Sequence, residues 1–215
     1  VLRIGGNSSD ETWLPQRGEP APRGAEFALS ESWLQTTGAL SAALDARMIM
    51  GLNLAGGRPG VAASEARALE RVLGPRSIQA LEIGNEPDLY GLFPWYTDHG
   101  HSVYRRPGSY SLSDFIGEFS RWRAAIGRQA PVTGPAYATF DWSLGLFIDA
   151  EPGLKLATFH HYPLDACLTN PSAVGYPTIP SLLGDPSSSG LAAKLAPEVA
   201  AAHGHGIRFR LDELN

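Results

Sequence analysis

Apolar positions along the chain follow two alternating rhythms. Short apolar runs bounded by turn-forming residues predict strands at Val1–Gly5, Arg47–Leu52, Ala80–Gly84, Pro131–Gly134, Leu154–Phe159 and Ile207–Leu211. Between them, apolar residues recur at helical spacing over Ser30–Leu44, Ala62–Leu73, Leu112–Ile126, Trp142–Ala150 and Leu191–His203. Local chemistry sharpens some boundaries. Gly74-Pro75 is a stop after the second helix, and Ser111 followed by Asp114 has the form of a capping box. Pro197 falls inside the last helix and removes a backbone donor there. The run Ser187–Gly190 reads as a flexible loop. Strand and helix in strict alternation give an α/β fold with a parallel sheet.

Two architectures share that rhythm, the doubly wound open sheet and the (β/α)8 barrel. Loops leading into strands are short, whereas those leaving them are long and carry the polar and aromatic residues. Asp88–Tyr110 alone holds Tyr90, Phe93, Trp95, Tyr96, Tyr104 and Tyr110. Both architectures keep their sites at the carboxyl ends of strands. The turn Gly5-Gly6-Asn7-Ser8-Ser9-Asp10 lacks the G-x-G-x-x-G spacing of a doubly wound nucleotide fold, which favours the barrel. A whole barrel takes eight strands and about 250 residues. Residues 1–215, with about six βα units, are therefore expected to form an incomplete (β/α)8 TIM barrel.

Composition narrows the partners. The chain has 215 residues, 43% of them hydrophobic and 18% charged, enough to bury a core without staples. A formal charge of −5 argues against a nucleic-acid surface. No apolar run approaches the roughly 18 residues of a membrane span. Cys167 is the single cysteine, which excludes an internal disulfide and a cysteine-based zinc cluster.

The candidate chemistry lies in Leu81-Glu82-Ile83-Gly84-Asn85-Glu86-Pro87. Pro87 ends ladder pairing and leaves Glu86 at a strand tip facing the loops. Glu82 points the same way but four residues deeper, where a partner such as Arg3 is required of a buried carboxylate. Glu213 is a second carboxylate at a strand tip. Two converging carboxyl groups suit glycosidic bond cleavage, one donating a proton to the leaving oxygen and the other facing the charge at the anomeric carbon. Asp212 competes with Glu213, but a regular strand turns it to the other face, and only a bulge would exchange them. Arg208 and Arg210 alternate with Phe209 and Leu211, so one pair must face the helices. His160 and His161 point to opposite sides of their strand and cannot chelate one ion, so no metal is expected; at least one should hydrogen-bond within the site. The aromatic residues of Asp88–Tyr110 serve as packing or as platforms for sugar rings. Arg105-Arg106 reads as a solvated pair or as a contact for an acidic sugar, and Asn53 as a site residue or a strand cap.

Four motifs occur in order: Leu2-Arg3-Ile4-Gly5-Gly6-Asn7, Gly51-Leu52-Asn53, Ile83-Gly84-Asn85-Glu86-Pro87-Asp88 and Phe159-His160-His161-Tyr162. With Glu213 they resemble glycoside hydrolase family 79, the β-glucuronidases and heparanases among the retaining glycosidases of clan A. The resemblance runs the length of the chain and would make it strands two to seven of the barrel, with the first and eighth strands and the family's β-sandwich domain outside it. It implies a retaining exo-β-glycosidase, a β-glucuronidase acting on glucuronate-containing carbohydrate, with no cofactor. It casts Glu86 as acid/base and Glu213 as nucleophile. Asn85 would bind the sugar's 2-hydroxyl, Tyr162 would keep the nucleophile ionised, and Asn7 and Asp10 would line the sugar end of the pocket, with His161 also near substrate. Two other readings stand beside it: a different clan A specificity, such as β-glucosidase or β-xylosidase, or a truncated, inactive barrel that at most binds sugar. The compartment stays open, with secretion or a periplasmic setting compatible with such enzymes.

Overall fold

The computed structural model of the chain describes residues 1–127 and 130–214. Six strands form one sheet: β1 (Leu2–Ile4), β2 (Met48–Leu52), β3 (Ile78–Ile83), β4 (Val132–Tyr137), β5 (Leu156–His161) and β6 (Arg208–Leu214). They lie side by side in chain order, and every neighbouring pair is parallel. A doubly wound sheet would reverse its order in the middle. Unbroken order with helical crossovers is the curl of a barrel wall, so the fold is an incomplete (β/α)8 TIM barrel.

The crossovers carry helices α1 (Glu31–Ala43), α2 (Pro59–Leu73), α3 (Leu112–Ile126), α4 (Leu144–Ala150), α5 (Ile179–Leu183) and α6 (Ser189–Gly204). Their starts are chemically marked. Ser30, Ser111 and Ser143 each accept a backbone N–H of the first turn, and Ser111 with Asp114 completes the capping box. Because Ser143 caps, α4 begins at Leu144 rather than Trp142. The expected Ser187–Gly190 loop is instead a 3-10 turn over Asp185–Ser187 running into α6. Pro197 is accommodated within α6, a helix that buries only Leu195 and Ala202.

Alternation along the strands separates two cores. Outward side chains such as Met48, Met50, Leu81, Ile83, Ala157 and Phe159 pack against the helices. Around them Phe115, Phe119, Tyr137, Trp142 and Phe147 form an aromatic cluster with ring centroids 4.9–6.2 Å apart. The inward apolar cluster is small: Ile49, Ala80 and Leu156. Phe209 and Leu211 of β6 join the outer core, which turns Arg208 and Arg210 inward.

The segment after β3 is more ordered than a loop. Pro94–Asp98 and His101–Tyr104 pair as an antiparallel hairpin. Its two-residue turn has φ 47° at His99 and 81° at Gly100, the primed geometry that suits hairpins. Among the described residues no helix is long and apolar enough to cross a membrane.

Candidate active site

Glu86 is held at the tip of β3 by an unusual backbone. Gly84 has φ 78°, and a Cβ there would come within 2.7 Å of Leu54 and 2.9 Å of the Tyr90 hydroxyl. Glu86 itself is left-handed, at φ 50° and ψ 53°. A non-glycine residue held in such a region costs of order 1–3 kcal/mol and persists only when its surroundings over-determine it. Here they do. The Glu86 N–H donates to Ala136 O at 3.0 Å, a carbonyl presented by the irregularity between Pro135 and Tyr137 in β4. Pro87 starts a 3-10 turn, and the Asp88 carboxylate accepts the N–H groups of Ala138 and Thr139 at 3.1 and 2.7 Å. The turns after β3 and β4 are thus latched together with Glu86 between them.

Glu213 reaches the same place from β6. Leu211 pairs with Phe159 and Glu213 with His160, leaving Asp212 as the extra residue of a bulge. In a regular strand Asp212 would continue the inward parity of Arg208 and Arg210, and Glu213 would face out. The bulge turns both inward. They are not exchanged but divided by depth: the Asp212 side chain is 1% exposed, that of Glu213 34%.

The Glu213 carboxylate is well supplied with donors. Arg3 Nη1 lies 2.6 Å from Oε2, and the Tyr162 hydroxyl donates to Oε1. Burial pushes its pKa up, but the Tyr162 hydrogen bond, the neighbouring His160 and the Arg3 contacts outweigh it and hold the group below the ordinary carboxylate value. Burial and the Glu213 charge drive Tyr162 the other way, so it stays a donor. Glu86, with its side chain 13% exposed, lies by Oε1 3.0 Å from His160 Nδ1, the same nitrogen that stands 3.7 Å from Glu213 Oε2.

One oxygen from each glutamate and a ring nitrogen of His160 lie within 4.8 Å of one another. Three such atoms could be taken for a metal's ligands. The Arg3 guanidinium, 2.6 Å from Glu213 Oε2, already supplies that carboxylate with a positive partner.

The remaining sequence candidates divide. Asn85 joins the site, with its Oδ1 accepting Arg3 Nη2 at 3.0 Å and its Nδ2 donating to Asn7 Oδ1 at 3.3 Å. Asn7 is exposed at the rim of a cleft of about 330 Å³ that also touches Glu86 and Arg105. Asp10 does not line that cleft. It is 0% exposed, and its carboxylate takes the Leu54 and Ala55 N–H groups and the Tyr90 hydroxyl, tying three loops together underneath. His161 is also out of position. It shares the outward parity of Phe159, packs on Phe140 at 5.2 Å, and has its pKa lowered by burial and by Lys194. Its neighbour His160 takes the inward place.

Asn53 and Arg106, left undecided by the sequence, resolve as scaffold. Asn53 is buried, its Nδ2 donating to the Asp10 and Thr12 carbonyls and its Oδ1 accepting the Gly56 N–H. Arg106 is not solvated: it pairs with Glu118 at 2.9 Å and donates to the carbonyls of Leu54 and Ala55. Tyr110 packs on Tyr90 beneath these loops, and buried Tyr90 reaches the cleft that Phe93 and Trp95 also line. Arg105 lies over the Tyr90 and Trp95 rings, with Glu11 at 3.6 Å. Sequence reasoning placed Arg3 beside Glu82, correctly at 2.6 Å, but missed that the same guanidinium spans Glu82, Asn85 and Glu213. The inward parity of Arg3 on β1 was the available signal.

In sequence alone the chain matches no family model and no curated protein. Solved structures do resemble it. A crystal structure of a 4-O-α-L-rhamnosyl-β-D-glucuronidase from Fusarium oxysporum 12S superposes with a TM-score of 0.68 at 17% identity, covering 99% of this chain and 46% of that one. A glycoside hydrolase family 51 arabinofuranosidase from Xanthomonas axonopodis pv. citri gives 0.59 at 12% identity, covering 100% of this chain and 48% of that one. The likeness is one of fold, the βα barrel wall that this chain shares with both. This chain spans about half the length of either neighbour.

Proposed function

We propose that this barrel is a retaining glycosidase in which Glu213 is the nucleophile and Glu86 the acid/base. The observation carrying this reading is that carboxylate oxygens from two strand tips, far apart in sequence, stand within 4.8 Å of each other in unlike surroundings. Double displacement uses carboxyl groups about 5–5.5 Å apart, whereas inversion needs about 6.5–9.5 Å to admit a water.

Glu213, held ionised by Arg3 and Tyr162, attacks the anomeric carbon. Glu86 donates its proton to the departing oxygen, then as a base takes a proton from the water that frees the sugar. Asn85, whose side chain is held by Arg3 and Asn7, binds the 2-hydroxyl in this reading, a contact that strengthens in the oxocarbenium-like transition state.

For the substrate we infer a β-glucuronide. The ordered motifs resembling glycoside hydrolase family 79 support it, as does a structural neighbour described as a glucuronidase. Nitrophenyl β-glucuronide, β-glucoside, β-xyloside and α-arabinofuranoside, offered separately to the full-length protein, test it. Preference for the glucuronide is expected. Preference for a neutral sugar would retain the mechanism and overturn the substrate, and failure to cleave any would overturn both.

A further inference from the structure

The floor of the site has more acid than base. Glu82 and Asp212 are both buried, 0% and 1% exposed at the side chain, and both turn to the same Arg3 Nε, at 2.6 and 3.3 Å. That guanidinium also serves Glu213 through Nη1. One cation therefore faces three carboxyl groups. Because Glu82 Oε2 and Asp212 Oδ2 approach one Arg3 nitrogen, the two carboxyl groups are neighbours. Glu82 Oε1 and both Asp212 oxygens are buried and make no hydrogen bond, Oδ2 having only the 3.3 Å ion pair to Arg3 Nε. Two like charges side by side in a dry interior are not sustained when a proton can join them.

We propose that Glu82 and Asp212 hold one proton between them, and that this shared proton sets the tautomer of His160. The catalytic consequence rests on the glycosidase reading; the proton itself does not. The groups facing the pair are Arg3 from β1 and His160 from β5; Glu213 touches both, 2.6 Å from Arg3 Nη1 and 3.7 Å from His160 Nδ1, and Glu86 lies beyond His160. A shared proton leaves the pair with a single negative charge, which Arg3 balances. Asp212 Oδ1 remains an acceptor 3.5 Å from His160 Nε2, a buried atom that otherwise has no partner. With its proton on Nε2, neutral His160 turns a lone pair on Nδ1 towards Glu86 Oε1 at 3.0 Å. That lone pair accepts the hydrogen of a protonated Glu86, the form an acid must hold before cleavage. Were the pair doubly ionised, His160 would be drawn into the imidazolium form and would favour an ionised Glu86. Burial and the neighbouring Glu82 charge push the Asp212 pKa well above the carboxylate range, in the same direction. Glu82 and Asp212 are thus positioning residues acting through His160.

Infrared difference spectra of the full-length protein at pH 7, wild type minus D212N and wild type minus E82Q, test this without reference to activity. Each is expected to show loss of a carboxylic acid carbonyl band, because either amide replaces the shared proton with a fixed donor. Should one variant fail to fold, the other reads the same band. Loss of an ionised carboxylate band alone would overturn the proposal. In an active enzyme D212N should move the alkaline limb of the pH–rate profile, where the acid loses its proton, to higher pH, because the pair can no longer become doubly charged. An unchanged alkaline limb would overturn the link to His160 while leaving the glycosidase reading intact.

Discussion

The two faces of the same six strands are built on opposite terms. The outer face carries Met48, Met50, Leu81, Ile83 and Phe159 into a broad apolar core against the helices. The inner face keeps only Ile49, Ala80 and Leu156 as an apolar plug. Above that plug stand Arg3, Glu82, Asp212 and His160, whose contacts are ionic and directional. The outer face needs only bulk and parity, so many sequences satisfy it and stability accrues from area. The inner face needs particular atoms in particular places, because an unmatched buried charge costs more than a missing methyl group. Stability and chemistry are thereby assigned to opposite sides of one sheet.

Substitutions on each face should fail in different ways. On the inner face, Glu86→Ala should slow hydrolysis of glycosides with poor leaving groups by about 10²–10⁴ while sparing activated aryl glycosides and the melting temperature. Equal loss on both substrates would remove Glu86 from the acid role. On the outer face, Phe147→Ala opens the aromatic cluster where Phe147 is 0% exposed. It should cost about 3–5 kcal/mol in chemical denaturation. A loss under 1 kcal/mol would show that the cluster repacks.

Tyr162→Phe removes a donor from an ionised carboxylate, an interaction worth about 1.5–3 kcal/mol. It should lower turnover by roughly ten- to a hundred-fold and move the acid limb of the pH–rate profile upward, since Glu213 loses part of what holds it ionised. An unmoved limb would assign the ionisation to Arg3 alone. The smallest effect concerns Glu65, buried beneath the loops, whose burial raises its pKa from 4.5 to about 8. A raised carboxyl pKa favours the folded state most below the unfolded value, and that advantage is lost as pH rises towards 8. Denaturation midpoints should therefore fall across that range in the wild type and less in Glu65→Gln. Parallel curves would place the pH dependence elsewhere.

Much of the outer face was legible in the sequence. All six barrel strands and five of the helices follow from apolar period and capping residues, with Leu112–Ile126 bounded as its capping box and Gly127 require. The inner face was legible only where a motif fixed it. Asn-Glu-Pro marked Glu86, and simple alternation put Arg3 beside Glu82. What escaped depended on departures from alternation. The bulge at Asp212, which brings two consecutive acids to one side, arises from pairing with β5 and has no local signature in Arg210-Leu211-Asp212-Glu213. The choice of His160 over His161 follows from the register of β5, which neighbouring strands set. The family resemblance puts Asp10 at the sugar end of the pocket, but the 3-10 turn over Asn7–Glu11 rotates it underneath. The hairpin after β3 was hidden because Asp98-His99-Gly100-His101 lacks the usual Asn-Gly or Asp-Gly pair.

The central claim is that Glu86 and Glu213 act on one sugar ring from opposite sides of the reaction. Azide added to Glu86→Ala and to a small-residue variant of Glu213 tests it most directly, with the glycosyl azide products resolved by NMR. The account requires retained anomeric configuration from Glu86→Ala, where azide replaces the water of the second step, and inverted configuration from Glu213→Ala, where azide replaces the nucleophile. The same configuration from both variants, or the two outcomes exchanged, would contradict it.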